Sequence, residues 1–274
     1  MRNLFDLSGK TAVITGGAGL LGAHHARALL QLNCSVDLWD WDTKALQLAK
    51  NKLESEFKPG KNSISTIDIT SEEIVVSAVE SYKKNSLNLD ILINNAALNP
   101  KFHIESSKTD SRLETYSLNS WNQEIAVGLT GAMLCSKHVG TYMAMFGSGV
   151  ILNISSDLSV ISPDHRIYEV PGVEKDQQFK KPVSYSVIKA GLIGLTKYLS
   201  TYWSESGVRA NSLSPGGVYD NHDPIFVRNL ISRIPMGRMA SPDEYVGAIQ
   251  FLCSDASRYM NGQNLVIDGG RSVW

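Results

Sequence analysis

Tyr185 and Lys189 are the residues in this chain best suited to moving a proton. They stand four positions apart in a run with apolar residues at helical spacing, so one helix face carries both side chains. A phenol with its ordinary pKa near ~10 is poorly matched to acid–base work at neutral pH, and a neighbouring ammonium favours its ionised form. Tyr and Lys are both common here, so a pair at this spacing is expected by chance and the context has to decide. That context is Asn153-Ile154-Ser155-Ser156 at the end of a β-branched run, which places a serine hydroxyl at the carboxyl edge of a sheet, where open α/β sheets bind ligands.

A second constellation is Thr15-Gly16-Gly17-Ala18-Gly19-Leu20-Leu21-Gly22, between a β-branched run and a helical one. Gly16 turns the chain, the bare N–H groups of the helix start face a diphosphate, and Gly22 lets the helix lie close to the sheet. Glycines alone would fit a purely structural turn equally well. Asp40 ends the next β-branched run, 24 residues after Gly16, close to the ~20 at which an acidic side chain accepts hydrogen bonds from the adenosine ribose. A carboxylate there repels a 2′-phosphate, so NAD is expected over NADP; Lys44 is the nearby cation that could reverse this. Asp42 competes with Asp40 but reads as a helix N-cap.

The elements that must position these residues alternate in the α/β manner. Strands are expected at 11–15, 35–40, 63–67, 91–94, 150–155, 209–213 and 265–267, about seven in one parallel sheet. Helices are expected at 20–32, 43–57, 72–84, 120–146, 184–206 and 242–254. No repeat or linker interrupts the order, so residues 1–274 read as a single doubly wound Rossmann-type domain. Two segments break the alternation, a polar stretch at 159–182 and a loop at 216–234 after Pro215-Gly216-Gly217. Connections of that length are usually lids or binding loops.

Charge and composition exclude other classes. With 26 basic and 27 acidic residues the net charge is −1, which provides no field for nucleic acid or an anionic membrane. No apolar run approaches the ~18 residues of a membrane span. Cys34, Cys135 and Cys253 are odd in number and widely spaced, which argues against a disulfide framework and for a cytosolic protein. His24, His25, His103, His138, His165 and His222 show no metal-ligand spacing, and no metal is expected.

Taken in order, these motifs resemble the short-chain dehydrogenases/reductases in their compact form. The resemblance spans nearly the whole chain and includes Asp68-Ile69-Thr70, Asn94-Asn95-Ala96-Ala97, Ser214-Pro215-Gly216-Gly217 and the ending Gly262 to Gly270. It implies hydride transfer between a nicotinamide and a secondary alcohol or ketone. Tyr185 would be the general acid or base, Lys189 would also hold the nicotinamide ribose, and Ser156, with Ser155 as alternative, would orient the substrate oxygen. Gly16, Gly19, Leu20, Leu21, Asp40, Asp68, Ile69, Asn95, Ala96, Ala97, Pro215, Gly216 and Val218 would line the cofactor groove with Tyr185 and Lys189. The family also implies a homo-oligomer, a tetramer or a dimer.

Three departures bear on that expectation. Gly128 stands where the family usually has an asparagine in its central helix, which puts the proton relay in question. Leu20 gives a Gly16-x-x-Gly19-x-x-Gly22 pattern like that of the extended, sugar-nucleotide members. Ser156 and Tyr185 are 29 apart, where about a dozen residues are usual, and the insertion carries Asp164, His165, Arg166, Tyr168, Glu169, Glu174, Lys175 and Asp176 over the site. Such a polar set suits a sugar-like substrate, and its style resembles bacterial members associated with surface-glycan and flagellin sugar modification. The competing readings are a non-catalytic dinucleotide-binding scaffold and an epimerase or dehydratase that retains its NAD.

Overall fold

Each β-branched run becomes a strand. In the computed structural model, which describes residues 3–98 and 111–274, the strands are β1 (Thr11–Thr15), β2 (Ser35–Asp40), β3 (Asn62–Thr66), β4 (Ile91–Asn94), β5 (Gly149–Ile154), β6 (Val208–Pro215) and β7 (Asn264–Ile267). They pair in parallel in the order β3-β2-β1-β4-β5-β6-β7. Val13, Ile14, Leu92, Ile93, Ile151 and Leu152 expose no surface, as a parallel sheet covered on both faces requires.

Among the described residues there are eight α-helices: α1 (Leu20–Leu30), α2 (Thr43–Glu56), α3 (Glu72–Lys84), α4 (Leu118–Ile125), α5 (Gly131–Met145), α6 (Val183–Tyr202), α7 (Pro224–Ile231) and α8 (Val246–Cys253). One core joins α1, α2 and α8 to the sheet, and a second joins α3, α5 and α6 to its other face. From β1 the chain runs outward to β2 and β3, then returns to pair β4 on the opposite side of β1. That reversal opens a crevice at the carboxyl ends of β1 and β4, where doubly wound sheets hold their ligands. Among the described residues no helix is long and apolar enough to cross a membrane.

Two expected elements differ. The helix expected over 120–146 is interrupted by a wider π turn at Ala126–Thr130, a feature common at functional sites. Gly128 lies in that turn, and a Cβ there would come 2.8 Å from Cγ2 of Ile188. The helix carrying Lys189 therefore presses into the space a side chain at 128 would occupy. The segment 216–234 contains α7, which begins where the Asp223 carboxylate accepts the N–H groups of Ile225 (2.8 Å) and Phe226 (3.3 Å). Its apolar spacing is only two turns long and follows polar residues, which hid it.

A buried carboxylate fixes the strand that ends in Asp40. Asp37 on β2 accepts hydrogen bonds from Trp39 Nε1 (2.9 Å), Ser63 Oγ (2.8 Å), Ser65 Oγ (2.8 Å) and Tyr82 Oη (2.6 Å). The charge thus ties β2 to β3 and α3. Asp37→Ala should cost about 3 kcal/mol, since four donors lose their acceptor in a dry place. Urea unfolding measures this, and a loss under about 0.5 kcal/mol would contradict the account.

Candidate active site

Backbone close approach builds the cofactor end. Gly16 has φ +62°, and a Cβ on it would lie 2.8 Å from Cα of Ala96. Asn95 Nδ2 donates to the carbonyls of Thr15 (3.1 Å) and Gly16 (3.0 Å), while Thr15 Oγ1 accepts the N–H groups of Asn95 (3.0 Å) and Ala96 (3.1 Å). The ends of β1 and β4 are laced together around the turn. A Cβ on Gly22 would fall 2.3 Å from the Gly16 carbonyl, so only glycine lets α1 start there. Gly19 caps α1 without a side-chain hydrogen bond, leaving its N-terminal N–H groups directed at the cleft.

Asp40 accepts N–H groups from Ala18 (3.2 Å) and Asp42 (3.2 Å), which fixes its carboxylate beside the glycine turn. Asp42 caps α2 through Lys44 N–H (2.9 Å) and Ala45 N–H (3.0 Å), as expected. Trp39 is buried and Trp41 is exposed, and both border the cleft. Asp68 accepts from the N–H (2.9 Å) and hydroxyl (2.7 Å) of Thr70. One cleft of about 860 Å³ runs from the glycine turn past Asp40 and Ile69 to Tyr185. Every site residue named from the sequence lines it, with Pro215, Gly216 and Val218 on the far wall. The glycine turn leaves room for a diphosphate at an uncapped helix start and the cleft is long enough for a dinucleotide, so these residues fit a nicotinamide cofactor.

The other end of the cleft is built on the first turns of α6. Lys189 Nζ donates to the carbonyl of Ile154 (2.8 Å), and Ser155 Oγ donates to the carbonyl of Lys189 (2.6 Å). Ser155 therefore pins the helix to β5, and Ser156 is left to face the phenol. Ser156 Oγ donates to Asp157 Oδ1 (2.9 Å), accepts the N–H of Leu158 (3.2 Å), and lies in hydrogen-bond reach of Tyr185. Asp157 Oδ2 meets Arg271 Nη1 at 2.7 Å, and both residues are buried.

The electrostatics depart from the expectation in one respect. Burial raises the Tyr185 phenol above its ordinary value, its hydrogen bond with Ser156 works the other way, and the Asp157 charge adds to the rise. Burial also pushes the Lys189 ammonium down to about 8, helped by the charge of Lys181. Lys189 alone thus does not lower the phenol. Its Nζ is 5.7 Å from the ring centroid and faces a backbone carbonyl.

The insertion is not a charged canopy. Its short turn His165–Tyr168 packs with α7, so that Ile167, Tyr168 and Phe179 join Phe226, Leu230, Ile234 and Met239 in a small separate core. Tyr168 stacks on Phe226 with centroids 5.2 Å apart and meets Phe179 at 5.1 Å. Segments 159–182 and 216–234 form one lid. Asp164 pairs outside the cleft with Arg166 (2.8 Å) and Arg233 (3.0 Å), and Glu169, Glu174, Lys175 and Asp176 do not line it. The charged group the insertion does bring in is Lys181, whose Nζ sits over the Tyr185 ring, 3.8 Å from its centroid. Lys181 precedes Tyr185 by four residues, the same spacing as Tyr185 to Lys189, and that symmetry was the signal available in the sequence. Asp157 and Arg271 carried no comparable signal. Of the histidines, His25 is buried and His222 borders the cleft; His103 lies outside the described residues.

Residues 10–224 match the family model for short chain dehydrogenases. The chain belongs to that family. A gluconate 5-dehydrogenase structure from Burkholderia cenocepacia, in complex with NADP and tartrate, superposes with a TM-score of 0.83 at 27% identity, covering 99% of this chain and 98% of that one. A short chain dehydrogenase from Leptospira borgpetersenii with bound NAD+ superposes with a TM-score of 0.83 at 30% identity, covering 99% and 96%. The D-threitol dehydrogenase of Mycolicibacterium smegmatis is 29% identical over 98% of this chain and 95% of its own length. This dehydrogenase is an NAD(P)-dependent oxidoreductase acting on CH–OH groups.

The Asp157–Arg271 pair gives the site a measurable dependence. Arg271→Met would strand a buried carboxylate beside Ser156, and unfolding free energy should fall by about 3–5 kcal/mol. Adding Asp157→Asn should recover part of the loss. Equal losses in the single and double variants by urea unfolding would show that the pair is not what holds the serine.

Proposed function

We propose that this dehydrogenase transfers hydride to or from a secondary alcohol carbon of a free polyhydroxylated compound, with NAD as its preferred cofactor. The observation that supports it is one uninterrupted cleft joining Asp40 and the glycine turn to Ser156, Tyr185 and Lys189. Bound nicotinamide supplies the hydride acceptor or donor. Ser156 and the Tyr185 hydroxyl hold the substrate oxygen, and Tyr185 takes its proton in oxidation or gives one in reduction. Lys189 contributes a positive charge that the carbonyl of Ile154 holds in place. Gly16, Gly19, Leu20 and Leu21 take the diphosphate, Asp68, Ile69 and Asn95 to Ala97 the adenosine side, and Pro215, Gly216 and Val218 the nicotinamide.

Tyr185→Phe should lower kcat by at least about 10²-fold, the scale of a positioned acid–base group, with NAD binding retained. Preserved turnover would remove Tyr185 from the chemistry. NAD bound without turnover in the unaltered protein would favour a scaffold, and interconversion with no release of NADH would favour an epimerase or dehydratase. The π turn that survives around Gly128 supports catalysis, since Ile188 occupies the side-chain space without unwinding the helix.

Cofactor choice rests on the Asp40 carboxylate, held by two backbone N–H groups at the end of β2. Asp40→Ala should narrow the ratio of NADP to NAD dissociation constants by about tenfold, about 1.4 kcal/mol. Tighter NADP binding in the unaltered protein would contradict the assignment.

The pH dependence follows from the two shifts. Oxidation needs an ionised phenol, whose pKa burial raises, and a charged Lys189, whose pKa burial brings down to about 8. The value of kcat/KM for oxidation should rise with pH up to about 8 and then flatten as the ammonium is lost. Reduction needs the protonated phenol with the same ammonium, so its kcat/KM should be level below that pH and fall above it. A pH-independent profile in both directions would contradict these roles.

Two broader features belong to the same reading. Exposed Tyr198 and Tyr202 stack 5.6 Å apart on the outer side of α6, which supports a homo-oligomer, a dimer or a tetramer. Three unpaired, buried thiols support a cytoplasmic setting. The kinship with surface-glycan members would point to a nucleotide-linked sugar; a lid with an aromatic core, which brings Lys181 and Asp220 to the cleft, favours a smaller free compound.

A further inference from the structure

We propose that Trp41 is a stacking platform for the adenine of the dinucleotide, an exposed indole on a fixed stretch of chain that grips the base. The proposal rests on the NAD reading above and adds the side chain that holds the adenosine half by its ring. Trp41 is 77% exposed, yet it lines the cleft, and it is the residue after Asp40. It is not an isolated exposed side chain. Leu20 at the start of α1 and Leu98 beyond β4 are also exposed and line the same cleft. Since β2 and β4 flank β1 in the sheet, these apolar groups gather around the glycine turn. At the catalytic end the apolar lining is different, because Ile167, Tyr168, Phe226, Leu230 and Met239 are buried in the lid's own core. Exposed apolar surface that is gathered in a cleft marks a place a ligand covers.

The backbone that presents the indole is held on both sides. The Asp40 carbonyl accepts the N–H of Ile67 (2.8 Å), the Asp40 carboxylate accepts the N–H of Asp42 (3.2 Å), and the Asp42 carboxylate caps α2. Only the side-chain torsions of Trp41 are left to order when a flat ligand settles on it, which keeps the entropic cost of binding low. The neighbouring indole cannot take this part: Trp39 is fully buried and donates its Nε1–H to Asp37 (2.9 Å). The occupant follows from the ribose. Its glycosidic bond carries the base away from the carboxylate of Asp40 by no more than a few ångströms, which brings the base to the next residue in the chain. Ile67, Asp68 and Ile69 follow β3, which pairs with β2, and line the cleft beside Trp41. A purine there meets an indole face and the Ile69 side chain, and gains dispersion contact and hydrophobic burial together.

The test uses the full chain with NAD and with ADP-ribose, which carries the adenosine diphosphate but no nicotinamide. By calorimetry the dissociation constants of both should rise about tenfold in Trp41→Ala, the scale of one aromatic–base stack, and Trp41→Phe should keep most of the affinity; the melting transition of each variant checks that it is folded. Iodide quenching of tryptophan fluorescence gives a second reading. ADP-ribose should shield an iodide-accessible indole in the unaltered protein and shield none in Trp41→Phe, while Trp274, equally exposed at 77%, stays accessible in both. ADP-ribose that binds Trp41→Ala as tightly as the unaltered protein, or that leaves the indole open to iodide, would overturn the proposal. So would unchanged affinity in Trp41→Ala together with a smaller mass in sedimentation, which would make the indole a subunit contact. Failure of the unaltered protein to bind either ligand would overturn the cofactor reading and the stack with it, whereas tighter binding of NADP with the Trp41 dependence intact would overturn only the preference for NAD and leave the stack standing.

Discussion

An ammonium buried beside a phenol has to be solvated by the protein itself, and the rest of the site follows from how that is done. Isolated charge in a low-dielectric interior is costly. Here the Ile154 carbonyl, freed at the end of β5, takes a hydrogen bond from Lys189, and Ser155 returns one to the Lys189 backbone. Those two bonds fix the rotation of α6 and bring Tyr185 to the cleft. They also turn the chain so that Ser156 faces the phenol. The buried pair of Asp157 and Arg271 then holds Ser156 from behind and ties the C-terminal segment to the same point.

The same constraint explains the central helix. An asparagine in the π turn would put a polar side chain against α6, but Ile188 already fills that space at 2.8 Å from where a Cβ of residue 128 would stand. The distortion of the helix therefore does not depend on the side chain usually found there. The wider turn itself packs on α6 at a second point, where a Cβ on Gly191 would come 3.0 Å from Leu129.

Much of this was legible in the sequence, because strands and glycine turns are written locally. All seven strands lie within a few residues of their expected positions, and the carboxylate of Asp40 faces the turn its spacing implied. What was illegible depends on contacts between distant segments. Charges in the insertion suggested a polar roof, yet Asp164 is drawn away by Arg166 and Arg233, and the roof is made by Tyr168 packing on Phe226 from a different loop. Helix α7 escaped notice because its apolar spacing covers only two turns. Arg271 is an unremarkable residue of the C-terminal segment until the fold places it on Asp157, 114 positions earlier.

The central claim is that one cleft orders a dinucleotide from the glycine turn and Asp40 to Ser156 and Tyr185. A crystal structure of the protein with NAD bound tests it most directly. The account predicts the adenosine ribose within hydrogen-bond distance of the Asp40 carboxylate and the nicotinamide C4 facing the space between Ser156 Oγ and the Tyr185 hydroxyl. A nicotinamide that lies elsewhere, with Tyr185 and Ser156 turned from it, would contradict it.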